Sequence, residues 1–487
     1  MSHLGQAKTR KPHLQQEDPC VPDKSKKQMH FALFTFPPFV HHYPDGWRHP
    51  QEMLGGVYNP LEPDIWERVA KTVEAMKIDA FFVGDGGAIY NSNEDSPATS
   101  LRYGSQTLEF FAPQFVSMIA AMAPELGAVS TVNTEELNPW TFSRMASTMD
   151  HLTKGRVGFN IVTGLNPGGL ADNLGTDLRE HDVRYERAEE FMQVCYSLWQ
   201  SWDKDALVRD PDEPLFADPD KVHEINFEGE YFRCRGPLQL PRSPQEIPVI
   251  FQAGQSPRGR QFAARHAEGI FTISPDLPAM QAYYRDVKDR VANEGRRGSD
   301  LAILSGIFPI VGSSEAAAKE KYEQLIELAT AEAGLAWCSG YACFNFAKVP
   351  FDTKLSALDP NDFAGIQSIF ELTMASSADA ASQTPHLYAY PHVEDPTVRD
   401  LCVANAQSIV PKVVGTVEQV SDQLEQIIDA EGCDGFMFST VHMPGSIDEL
   451  APVIAELQRR GRFRTEFEGP TLRSRLGTRP FPWANQP

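Results

Sequence analysis

The sequence predicts an α/β fold, a (β/α)8 TIM barrel with insertions after the fourth and seventh β/α units. Three observations carry that expectation. Eight short runs rich in Val, Ile and Phe alternate with amphipathic stretches along the 487-residue chain. Each run is apolar almost throughout, as a strand covered on both faces must be. Repeated strand-then-helix units close most simply into a barrel, because each parallel crossover lays a helix over the sheet.

In chain order, HFALFTF (30–36) is the first strand and precedes a helix near 62–77. DAFFVGD (79–85) precedes a helix near 107–122, LGAVSTV (126–132) one near 139–152, and RVGFNIVT (156–163) one near 183–202. IPVIFQAG (247–254), EGIFTIS (268–274), LAILSGIFPIVG (301–312) and CDGFMFST (433–440) complete eight. The uneven spacing locates two insertions. Residues 203–245 include INFEGEYFRCRGPLQL, read as a hairpin; residues 335–411 are rich in Ala, Ser, Pro and aromatics. A structureless loop of that second length is uncommon, so 335–411 is expected to contain helices and to cover one barrel mouth as a lid. The domain plan is therefore a mobile N-terminal tail (1–28), one barrel domain (29–480) and a short C-terminal tail (481–487).

Composition narrows the function classes. Lys and Arg number 44 against 66 Asp and Glu, a formal charge of −22, which argues against nucleic acid and anionic membrane as partners. Residues 1–28 have no apolar core of a secretory signal, and no run of about 18 apolar residues occurs to span a bilayer. The seven cysteines lack metal-ligand pairing and read as reduced thiols of a cytoplasmic protein. His41, His42 and His49 cluster without a carboxylate pair, so no metal site is expected. G-x-G-x-x-G, Walker, H-E-x-x-H and G-x-S-x-G motifs are all absent.

Chemistry in such barrels sits at strand C-termini. Asp85 ends the second strand, Thr131 lies near the end of the third, and Asn160 and Thr163 lie on the fourth. In AGQSPRG (253–259), Ser256 followed by Pro257 fits an N-cap and first helical position. Free amides there would suit a phosphate, though for this segment alone a plain capping serine is the simpler reading. In HDVRYERAEEF (181–191), Asp182 is read as the cap of the next helix, with His181 just before it and Tyr185 in its first turn. Either both face an anion or Tyr185 packs and His181 is solvated.

The ordered set GWRHP (46–50), DAFFVGDG (79–86), GRVGFNIVTG (155–164), RYERAEEFMQVCYSLWQSW (184–202), NFEGEYFRCRGPLQLPRSPQEIPVIFQAGQSPRG (226–259), DGFMFS (434–439) and RRGRFRTEFEGPTLRSRLG (459–477) resembles the bacterial-luciferase-like flavin-dependent monooxygenases. The branch is that of the nitrilotriacetate, EDTA and dibenzothiophene-sulfone monooxygenases. The resemblance implies a barrel that uses reduced FMN (FMNH2) from a separate NAD(P)H:flavin reductase, with O2 as co-substrate, in a homodimer or homotetramer. By motif position it implies that Asp85, Thr131, His181, Tyr185 and Ser256 contact the flavin, with Asn160 near its ring. Phe159 stands where the branch usually has tryptophan and Gly164 where serine is common, both expected near flavin or substrate. His49 and His442 are candidate proton donors to reduced oxygen. FALFTFPPF (31–39) places phenylalanines at the first strand's end, which favours a small apolar substrate such as a dialkyl sulfide; Phe34 and Phe36 could equally be barrel core. Two other readings stand beside this one: a deazaflavin-dependent oxidoreductase on the same barrel, and a non-catalytic flavin-binding subunit.

Overall fold

The computed structural model describes residues 27–38, 43–50, 59, 61–164, 169–177, 179–359, 384–388 and 393–482. Its eight principal strands are β1 (His30–Thr35), β2 (Ala80–Val83), β3 (Gly127–Asn133), β4 (Val157–Val162), β5 (Val249–Gln252), β6 (Gly269–Thr272), β7 (Ala302–Val311) and β8 (Gly435–Ser439). Each pairs in parallel with the next, and β8 pairs with both β7 and β1, which closes the barrel. The outer ring is α1 (Pro63–Ala75), α2 (Ala112–Met122), α3 (Pro139–Leu152), α4 (His181–Trp199), α5 (Pro257–His266), α6 (Leu277–Asn293), α7 (Val417–Asp429) and α8 (Gly445–Arg459). All eight strands expected from the sequence are present.

Strand alternation sorts the core into two layers. Ala32, Phe34, Phe82, Val129, Phe251, Leu304 and Met437 fill the barrel, while Phe31, Leu33, Phe81, Val83, Phe159, Ile161 and Phe438 face the helices. The interior is tight: a Cβ on Gly269 would sit 2.2 Å from the Phe251 ring, so glycine is what lets that ring lie across the barrel. Phe34 lies 5.1 Å from Phe36, 5.4 Å from Phe82 and 5.1 Å from Phe271, centroid to centroid. Each such buried ring contributes roughly 1.5–3 kcal/mol.

At the opposite end of the barrel, Asp434 ties β8 to α6. Its carboxylate accepts from Lys288 Nζ at 2.6 Å, Ile303 N at 3.0 Å and Tyr284 Oη at 3.0 Å. Lys288 and Lys27 outweigh the cost of burial and hold its pKa at about 2.

In 203–245 two hairpins form: Leu207–Asp210 with Leu215–Ala217, and Phe227–Glu228 with Arg233–Cys234. The second lies within INFEGEYFRCRGPLQL; the first left no trace in the apolar pattern, because Leu215 and Phe216 are exposed. Between β7 and β8, helix Glu315–Leu328 is followed by helices Ala331–Ala342 and Val398–Ala406. Strand Lys412–Gly415 then pairs with the C-terminal half of β7 before α7. A Cβ on Gly334 would lie 1.8 Å from the carbonyl oxygen of Cys402, so these two inserted helices cross at backbone contact. Helix Ala331–Ala342 lies against the loop after β2, with the Tyr341 ring 5.7 Å from that of Tyr90. Residues 1–26, 39–42, 360–383, 389–392 and 483–487 lie outside the described residues, and with them most of both expected tails and part of the expected lid. No helix among the described residues is long and apolar enough to cross a membrane.

Candidate active site at the C-terminal ends of β2 to β5

Two helix starts converge beyond β4 and β5. Ser256 caps α5: its hydroxyl accepts from Gly259 N at 3.1 Å, with Pro257 in the first turn. His181 opens α4, and its Nε2 lies 3.4 Å from Ser256 Oγ. The Tyr185 ring, 5.1 Å from that of His181, is buried, and its hydroxyl faces Thr163, Gln252 and Ser256. A Cβ on Gly259 would sit 2.7 Å from the Tyr185 hydroxyl oxygen and 2.9 Å from Gly254 Cα. Glycine at 259 thus keeps open a cradle that any side chain would fill. One detail differs from expectation. The backbone of Glu180, not Asp182, holds the N-cap of α4, and the Asp182 carboxylate turns aside to His181 Nδ1 at 2.7 Å. The helix therefore begins two residues earlier than expected, and His181 lies inside it.

Toward β2 and β3, Asp85 and Thr131 line a narrow cleft open to solvent, with Gly86, Phe111, Leu137 and Glu136 among its walls. Asp85 is already engaged: Oδ2 accepts from Ala112 N and Oδ1 from Gly87 N, both at 3.0 Å, so it also caps α2. Thr131 Oγ1 donates to Val83 O at 2.7 Å and accepts from Asn160 Nδ2 at 3.1 Å. That leaves Asn160 Oδ1 buried with no hydrogen-bond partner among the described residues, an unfilled acceptor of the kind a ligand N–H satisfies. The six candidates thus fall into two sets of three, joined along β4 by Asn160 and Thr163.

Sequence reasoning missed Glu109, whose carboxylate accepts from Gly86 N at 2.7 Å beside Asp85. Burial, and then the Asp85 charge, push its pKa up to about 8, so it holds a proton at neutral pH. Burial raises Asp85 and Glu136 as well. No motif marks Glu109; only the fold brings the chain at 109 back to 85.

Two expectations are corrected. Phe159 faces away from the barrel interior and packs edge-on against Phe142 at 5.1 Å, because its neighbour Asn160 takes the inward position on β4. It does not shape the pocket. His442 and His49 stack at 4.0 Å between centroids, and burial depresses both pKa values, that of His442 to about 3. His442 is therefore uncharged at neutral pH and offers no imidazolium proton, and burial disfavours one on His49 as well. Phe34 and Phe36 are barrel core.

A family model described as luciferase-like monooxygenase matches residues 44–434. The dibenzothiophene-sulfone monooxygenase of Rhodococcus erythropolis (strain XP) is 37% identical over 93% of this chain and 97% of its own length. The N-acetyl-S-(2-succino)cysteine monooxygenase of Bacillus subtilis (strain 168) is 34% identical over 93% and 97%. Among solved structures, a riboflavin lyase (RcaE) with modified FMN and substrate riboflavin superposes with a TM-score of 0.81 at 29% identity, covering 93% of this chain and 97% of that one.

Proposed function

The chain belongs to the luciferase-like monooxygenase family, and on that premise we propose that it is the oxygenase of a two-component pair. It takes reduced FMN from a separate NAD(P)H:flavin reductase and transfers one atom of O2 to a small organosulfur compound such as a dialkyl sulfide. The observation that carries the cofactor reading is the cradle of His181, Tyr185 and Ser256 at two helix starts, kept open by Gly259. Hydroxyl, phenol, imidazole and free amides are the donor set a phosphate ester needs. Asn160, with its unfilled acceptor, and Thr131 are the groups proposed to meet the ring.

When bound, reduced FMN supplies the two electrons that activate O2, one atom entering the substrate and the other leaving as water. The chain's part is grip, orientation and dryness. Phe111, Pro113, Val132 and Leu137 give the cleft apolar walls that exclude water. The neighbouring carboxyl groups, Asp85 and Glu136, are unaccompanied by lysine or arginine among the residues lining the cleft. That favours an uncharged substrate over a polycarboxylate, and the relative named for dibenzothiophene sulfone, an uncharged organosulfur compound, supports the class. The test is turnover by the purified chain with FMN, NADH, an unrelated flavin reductase and a panel of sulfides. The readout is an oxygenated product that depends on both chain and sulfide, since free reduced flavin consumes oxygen by itself. No such product from any sulfide, with product from nitrilotriacetate or an alkane, would sink the substrate class and leave the cofactor reading standing.

A further inference from the structure

Arg184 is the fourth residue of α4, so it lies within one turn of His181 and beside Tyr185. Only 4% of it is exposed. Its Nη1 donates to the Arg179 carbonyl at 3.2 Å, and its Nε is buried with no hydrogen-bond partner among the described residues. Glu135 faces it but is already paired with Arg187 at 3.2 Å and with Arg179, and Glu180 lies on the exposed rim. Two arginines therefore hold the half-buried Glu135 carboxylate, and Arg184 forms no ion pair with it among the described residues. Taking a charge out of water without a counter-ion is costly, and folds keep such groups where something else satisfies them.

The adjoining cradle has the complementary deficit. Tyr185 and Ser256 are neutral donors, and Arg258, whose guanidinium lies 5.8 Å from the Tyr185 ring centre, is drawn to Glu189 at 3.3 Å, a carboxylate that Arg265 also reaches at 3.3 Å. A phosphate ester carries nearly two negative charges that neutral donors orient but do not balance. We infer that Arg184 is the fixed positive charge that balances the phosphate of the mononucleotide held by His181, Tyr185 and Ser256. The inference rests on the FMN reading above. An anionic substrate is the less favoured source, because the cleft that would take substrate is walled by Asp85 and Glu136 and does not include Arg184.

The experiment is anaerobic equilibrium titration of wild type, Arg184→Met and Arg184→Lys with reduced FMN and, in parallel, reduced riboflavin, which lacks the phosphate. Arg184→Met is expected to weaken FMN binding about 10- to 100-fold, the worth of a hydrogen bond to a charged group. Riboflavin binding stays within twofold, and Arg184→Lys keeps part of the preference for FMN. Wild-type FMN affinity falls with added salt, and that slope flattens in Arg184→Met. Equal losses for FMN and riboflavin overturn the inference and leave FMN binding intact. If Arg184→Met does not fold, Arg184→Lys decides by the same comparison. A wild-type chain that binds FMN no tighter than riboflavin overturns the phosphate cradle and Arg184 together.

Discussion

Replacing Tyr185 by phenylalanine removes one oxygen from the centre of the cradle and almost nothing else. The ring keeps its neighbours, Phe262 at 5.7 Å and His181 at 5.1 Å, so its apolar burial is unchanged. The hydroxyl's own neighbours retain other bonds: Ser256 still caps Gly259 N, and Gln252 still accepts from Gly254 N. The loss to folding is then about 1 kcal/mol, that of one neutral hydrogen bond. The loss to a bound phosphate is larger, about 1.5–3 kcal/mol, because the phenol would donate to a charged acceptor. At about 1.4 kcal/mol per decade, FMN affinity should fall roughly 10- to 100-fold while thermal stability changes little. Quenching of flavin fluorescence measures the first and a thermal melt the second. An FMN affinity within twofold of wild type, in a variant that melts normally, would refute the assignment of this helix pair to a phosphate.

Three further outcomes follow from particular groups. Folded Glu109 keeps its proton up to about pH 8, whereas the unfolded chain releases it above about pH 4.5, so ionisation opposes folding between these values. Wild type should accordingly lose stability relative to Glu109→Gln as pH rises from 5 to 8, read from urea midpoints, and a constant difference would count against the buried pair. Asp434 is the opposite case, its stabilisation present above pH 4 and lost as pH falls toward about 2. Asp434→Asn should cost about 3–5 kcal/mol at pH 7 by leaving Lys288 buried and unpaired, with the gap to wild type narrowing below pH 4 in chemical denaturation. Gly334→Ala forces a Cβ into the Cys402 carbonyl and should destabilise the inserted helix pair by about 1–3 kcal/mol, seen as faster amide exchange in 331–342 with barrel amides unchanged.

The barrel was legible in the sequence because every one of its strands is buried on both faces. That condition forces runs such as AFFV and GFMFS to be apolar throughout, and it acts within a few residues of chain. The capping role of Ser256 was legible for the same local reason, a hydroxyl followed by proline at a helix start. Tertiary placement decided what local signals could not reach. Glu109 keeps its proton because the fold buries it beside Asp85, 24 positions away, and Arg184 is stranded because Glu135 is taken by two other arginines. Phe159 and Asn160 differ only in which side of β4 they occupy, a choice set by register against β3 and β5. Composition and periodicity record burial, whereas charge balance and pairing depend on which distant groups arrive at the same point, and only the closed barrel brings them there.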